Sequence, residues 1–87
     1  MIKPTPHRAV AKLLEDVGFQ ATRIEDSHVL FRHPATGTTF MLPAGKRVVA
    51  VPLLIAMRRT LDEYGLVPRD GFEARLASVV VGRKASA

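Results

Sequence analysis

The apolar pattern of this chain switches at Gly18 from a helical period to a two-residue period, so a helix must hand over to strands there. Val10, Leu13, Leu14 and Val17 stand at the offsets 0, 3, 4 and 7 that line one face of a helix. Thr5 is expected as its N-cap, Pro6 at its first position and Gly18 as its stop. Phe19 to Ile24 then reads as a short strand whose inward set is either Phe19 and Ala21 or Thr22 and Ile24. After a turn at Glu25-Asp26, Ser27 to His33 alternates more clearly. Val29 and Phe31 point one way; His28, Leu30 and Arg32 point the other.

Pro34-Ala35-Thr36-Gly37 punctuates a tight connection into a third strand, Thr38 to Leu42, which makes the second and third strands a hairpin. Pro43 to Arg47 reads as a loop and Val48 to Val51 as an extended connector. Pro52 opens a second helix that runs to about Tyr64, with Leu54, Met57, Leu61 and Tyr64 as its core stripe and Gly65 as its stop. Asp70 and Glu73 have capping-box spacing ahead of Phe72, Leu76 and Val80, so a third, shorter helix is expected. Arg83 to Ala87 reads as a frayed tail. The expected fold class is therefore α+β: one domain over residues 1–87, with a three-stranded antiparallel sheet and helices packed on one face. A sheet of this kind in so short a chain leaves its other face to solvent.

With 87 residues, 47% of them apolar and no cysteine, the chain must rely on ordinary packing, without disulfides or thiolate metal sites. The N-terminal residues lack the apolar run of a signal peptide, and no stretch has the length of a membrane span, so a soluble cytoplasmic protein is expected. The formal charge is +5, and its placement matters more than its size. Between Ser27 and Leu61 lie Arg32, Lys46, Arg47, Arg58 and Arg59 and no acidic residue, while elsewhere eight basic residues are matched by eight acidic ones. Folded onto one face, this segment would suit a polyanion; otherwise it is a solvated basic surface. Arg58 and Arg59 also have Asp62 and Glu63 four residues on, ready to pair with them.

Most catalytic signatures are absent. Gly45-Lys46 has Phe40 where the first glycine of a phosphate-binding loop belongs and Arg47 where a hydroxyl residue should follow. Ser27 lacks the flanking glycines of a nucleophile elbow. His28 and His33 fall on opposite sides of one strand, a poor arrangement for sharing a metal. The few aromatic residues are needed for the core, which leaves no stacking sheet of the RNA-recognition type. His28 remains, on the strand side away from Val29 and Phe31, beside Arg32 and inside the acid-free segment. Metal-free RNA cleavage needs a base for a 2′-hydroxyl proton and cations for the phosphate. An imidazole among arginines and lysines has the right groups, and equally it is an ordinary surface residue.

Gly18-Phe19, followed by Arg23-Ile24-Glu25-Asp26-Ser27-His28-Val29-Leu30-Phe31-Arg32-His33-Pro34, resembles the core pattern of the HicA toxin family: a Gly-Phe after the first helix, then Arg-x-x-Gly-Ser-His and an apolar strand ending in Arg-His-Pro. Leu42-Pro43, Gly45-Lys46, Tyr64-Gly65-Leu66 and Phe72 follow in the family's order, so the similarity spans roughly residues 7 to 76. Asp26 stands where the family usually has glycine, and it sets a negative charge beside the expected phosphate site. The resemblance implies a double-stranded-RNA-binding-like fold and endoribonuclease activity on messenger RNA without a cofactor. It also implies His28 as the catalytic residue and silencing by a HicB-like antitoxin. The expected RNA contacts are Arg23, Ser27, Arg32, Lys46, Arg47, Arg58 and Arg59. Two rivals stand beside this reading: an RNA-binding module that does not cut, and a protein-interaction domain with a basic face.

Overall fold

Thr5–Pro6 forms a two-residue strand, β1, where a helix cap was expected. The computed structural model describes residues 2–24, 28–43 and 47–86, with side chains described through residue 79. Strand β1 pairs antiparallel with Val48–Val49, Thr5 opposite Val49 and Pro6 opposite Val48. This pairing displaces the expected cap: the Thr5 hydroxyl turns back to donate to the Lys3 carbonyl at 2.8 Å, and Pro6 takes the N-cap position. The first helical N–H, that of His7, is satisfied instead by the Arg47 carbonyl at 2.8 Å.

Helix α1, His7–Asp16, buries Ala9, Val10, Leu13 and Leu14, the stripe its spacing predicts. It ends where Gly18 takes φ +107°, with Gly18 N–H donating to Glu15 and Phe19 N–H to Leu14. These are the paired bonds of a left-handed helix stop, and a residue with a Cβ would strain there.

Strands β2 (Gln20–Ile24), β3 (His28–Arg32) and β4 (Thr39–Pro43) make the expected antiparallel sheet in the order β2-β3-β4. The β3–β4 connection closes on a bond from His33 N–H to the Thr38 carbonyl and another from Gly37 N–H to the His33 carbonyl, each 2.8 Å. The register settles which way β2 faces. Ala21 lies opposite Phe31 and Phe31 opposite Phe40, while Arg23 lies opposite Val29 and Val29 opposite Leu42, so these residues share one face. Phe31 and Leu42 are fully buried on that face, and Phe19, just before β2, is buried with them. Ala21 and Arg23 stay exposed because β2 is an edge strand beyond the cover of the helices.

The Val48–Val49 strand, β5, leads into α2, Val51–Glu63, with Pro52 in its first turn. Leu54, Met57 and Leu61 are buried as expected. Tyr64 is not: it is 52% exposed, because the helix has ended and the chain reverses at Gly65, φ +71°. Leu66 and Val67 turn inward in its place, Leu66 N–H donating to Leu61 at 2.9 Å.

A single 3₁₀ turn, Arg69–Gly71, precedes α3, Phe72–Ser86. Its opening N–H, on Arg69, is held by the Asp62 carboxylate at 3.1 Å, a cap reached across from α2. The α3 backbone stays helical through residues 83–86, so this helix is longer than its sequence pattern suggested and takes in most of the expected tail. Phe72 and Leu76 join α1, α2, Phe31 and Leu42 in one cluster. Among the described residues, the three α-helices therefore lie on the Phe31 side of the sheet, and none covers the other side. Among the described residues, no helix is long and apolar enough to cross a membrane.

Candidate functional site

The sheet register places three rows of side chains on the uncovered face. Ile24, His28 and Pro43 form the row at one end; Thr22, Leu30 and Met41 form the middle; Gln20, Arg32 and Thr39 form the far row. His28 is half-buried between its two neighbours, at the end of the sheet where β2 and β4 finish and β3 begins. Position explains this. As first residue of β3 it takes the alternation away from Val29 and Phe31, which are drawn into the core.

Arg32 is exposed on the same face, four residues along the same strand and so about 13 Å from His28. No carboxylate belongs to any of the three rows. Among the described residues none pairs with Arg32 either.

The other residues of the acid-free segment do not gather there. Arg58 and Arg59 ride on α2, on the helix side of the sheet, and both have acidic partners from outside the segment. Arg58 lies 3.9 Å from Glu73 of α3, and Arg59 lies 3.5 Å from Glu63 one turn on. Asp62, the nearer sequence match for Arg58, instead holds the Arg69 N–H. Arg23 also falls away from His28, since its register partner is Val29 on the helix-covered face. Arg47 is exposed, and its carbonyl is bound to His7 N–H at the β1–β5 pair. Asp26, Ser27 and Lys46, singled out from the sequence, lie outside the described residues. Among the described residues, Arg32 and the Arg58–Arg59 pair therefore lie on different sides of the sheet and do not form one basic face.

The remaining histidines differ from His28 in setting. His33, one residue beyond β3, is 9% exposed. Its Nε2 lies 3.0 Å from the Val17 carbonyl, and its ring meets Phe19 edge-on at 5.1 Å between centroids. This bond sets the tautomer: Nε2 carries the proton and donates, and buried Nδ1 finds no partner among the described residues. His7 is half-buried at the start of α1. Among the described residues no cluster of histidine and carboxylate side chains could hold a metal.

Leu30 shares this side of β3 with His28 and Arg32, as its alternation predicts, whereas Gln20, Thr22, Thr39 and Met41 of the same face carry no signal of their own in the sequence. They become legible only once the strand register is known, because parity along β2 and β4 then assigns each to a side. No protein-family model, no curated protein and no solved structure matches this chain.

Proposed function

We propose that this chain is a HicA-like toxin, a metal-independent endoribonuclease that cuts messenger RNA in the cytoplasm with His28 as general base and is silenced by a HicB-like antitoxin protein. The observation that carries the reading is the position of His28: on the face of the sheet that none of the described helices covers, with Arg32 about 13 Å further along the same strand and unpaired among the described residues, and no carboxylate in any row. The order of helix, three antiparallel strands and helix agrees with the fold that the sequence resemblance implies.

In the reaction, His28 takes the proton of a ribose 2′-hydroxyl, and the freed oxygen attacks the adjacent phosphorus. The O2′–P bond forms, the P–O5′ bond breaks, and the departing 5′ oxygen takes a proton from solvent. The products are a 2′,3′-cyclic phosphate and a 5′-hydroxyl.

The test is to incubate the purified protein with RNA in the presence of EDTA and analyse the new ends. Cyclic-phosphate ends support the proposal; intact RNA, or 3′-hydroxyl ends made only when metal is added, contradicts it. The apolar row of Leu30 and Met41, the latter 49% exposed, favours one rival, docking of a partner protein on this face. Under that reading the chain binds a protein and leaves RNA intact.

A further inference from the structure

Resting on the proposed cleavage at His28, we infer that this face is a track for single-stranded RNA, with Arg32, flanked by Gln20 and Thr39, holding a phosphate remote from the one that is cut.

His28, between Ile24 and Pro43, and the polar row of Gln20, Arg32 and Thr39 stand at opposite ends of the face, and His28 and Arg32 belong to the same side of β3. Their separation of about 13 Å is too great for one phosphate to touch both. It matches a run of roughly four stacked nucleotides at about 3.4 Å each, or fewer if the strand is stretched. Between the ends lies the row of Thr22, half-buried Leu30 and exposed Met41, which holds no charge. A base turned toward the sheet would cover this apolar surface and would meet no ion needing water. Arg32 supplies a guanidinium without an acidic partner among the described residues, and Gln20 and Thr39 stand beside it in register with further donors. The charged groups of α2, by contrast, are engaged with Glu63 and Glu73 behind the sheet.

Strandedness follows from the chemistry as well. Attack by a 2′ oxygen requires that oxygen, phosphorus and the leaving oxygen lie in line, and an A-form duplex holds them far from it. Only a strand free to turn its ribose can react at His28. A duplex would also hide its bases from Leu30 and Met41, which would then contact nothing.

The test uses short single strands carrying 2′-deoxyribose at the cleavage position, so that they bind without being cut. In each, one phosphate is replaced by a neutral methylphosphonate at successive distances on either side. Affinity is read by fluorescence anisotropy. The inference predicts a loss of about tenfold or more when the neutral linkage lies roughly two to four nucleotides from the cleavage position, and little elsewhere. Arg32→Ala should lose affinity for the unmodified strand by a similar factor and become blind to that linkage, and the matching duplex should bind less well than the single strand. With cleavable strands, Arg32→Ala should raise KM and leave kcat near the parental value. A flat methylphosphonate scan, an Arg32→Ala protein that still senses the linkage, or preferred binding of duplex would overturn the track. Those outcomes leave cleavage by His28 standing if the parent still cuts. A parent that shows the binding pattern but never cuts removes the base role and keeps the track.

Discussion

His33 is bonded to the Val17 carbonyl through Nε2 at 3.0 Å, and its ring fills the space where a side chain on Gly18 would begin. A Cβ at Gly18 would stand 2.9 Å from that same nitrogen. The end of α1 and the end of β3 are thus pinned together by one imidazole seated on a bare backbone. The Gly-Phe and Arg-His-Pro elements, apart in sequence, meet at this pin, since Phe19 also packs edge-on against His33.

Removing either half of the pin should destabilise the protein. His33→Ala strands a backbone carbonyl and opens a space beside Phe19, at a cost of about 2–3 kcal/mol. Gly18→Ala introduces strain at φ +107° and a contact that the His33 ring must yield to, costing about 1–3 kcal/mol. Urea unfolding of each variant checks this, and a midpoint equal to the parent's for both would show that the pin contributes nothing. His33 does point away from His28, as strand alternation requires. The consequence is that His33→Ala cannot serve as a silent control for His28→Ala, because the far side of the strand is the core.

Phe31 and Tyr64 provide a contrast in burial. Phe31 is fully buried between the sheet and the helices, so Phe31→Ala should cost about 3–5 kcal/mol. Tyr64, expected from helical spacing to be core, is 52% exposed, and Tyr64→Ala should shift stability by about 0.5 kcal/mol or less. Equal losses in the two variants, measured by denaturant titration, would contradict the inward turn at Leu66 and Val67.

Arg58 and Arg59 should matter little to RNA. Each has an acidic partner and lies on the helix side, so the double change Arg58→Ala with Arg59→Ala should leave RNA affinity and its salt dependence close to the parent's. Arg32→Ala should flatten the plot of log affinity against log salt by about one unit of slope. Titrations at several salt concentrations decide between them. A larger loss from the α2 pair would move the RNA to the helix layer.

The fold was largely legible because its devices are local. The α1 stripe, the hairpin turn, the two glycine stops and the alternation of β3 each act within a few residues. The errors arose where distant segments meet. Thr5 and Pro6 have the chemistry of a helix start, but Val48 and Val49 recruit them into a strand pair. Tyr64 continues the helical spacing, but the chain turns at Gly65 before the stripe can use it. The candidate site was legible at His28 and Arg32, which share one strand and follow from its period. It was not legible for Arg23, Arg58 and Arg59, whose sides depend on strand register and on how α2 lies over the sheet. Charge in the linear sequence does not report which charges will find partners from another helix, as Arg58 finds Glu73.

The central claim is that His28 takes a proton from RNA, and it is tested most directly by comparing His28→Ala with the parent for both cleavage rate and thermal midpoint. His28 is half-buried on the uncovered face, outside the core cluster, so its truncation should cost about 1 kcal/mol or less and keep the midpoint within about 8 °C of the parent's. The loss of a general base should lower the cleavage rate by about 10²- to 10⁴-fold. A folded His28→Ala protein that cuts RNA at the parental rate would contradict the account.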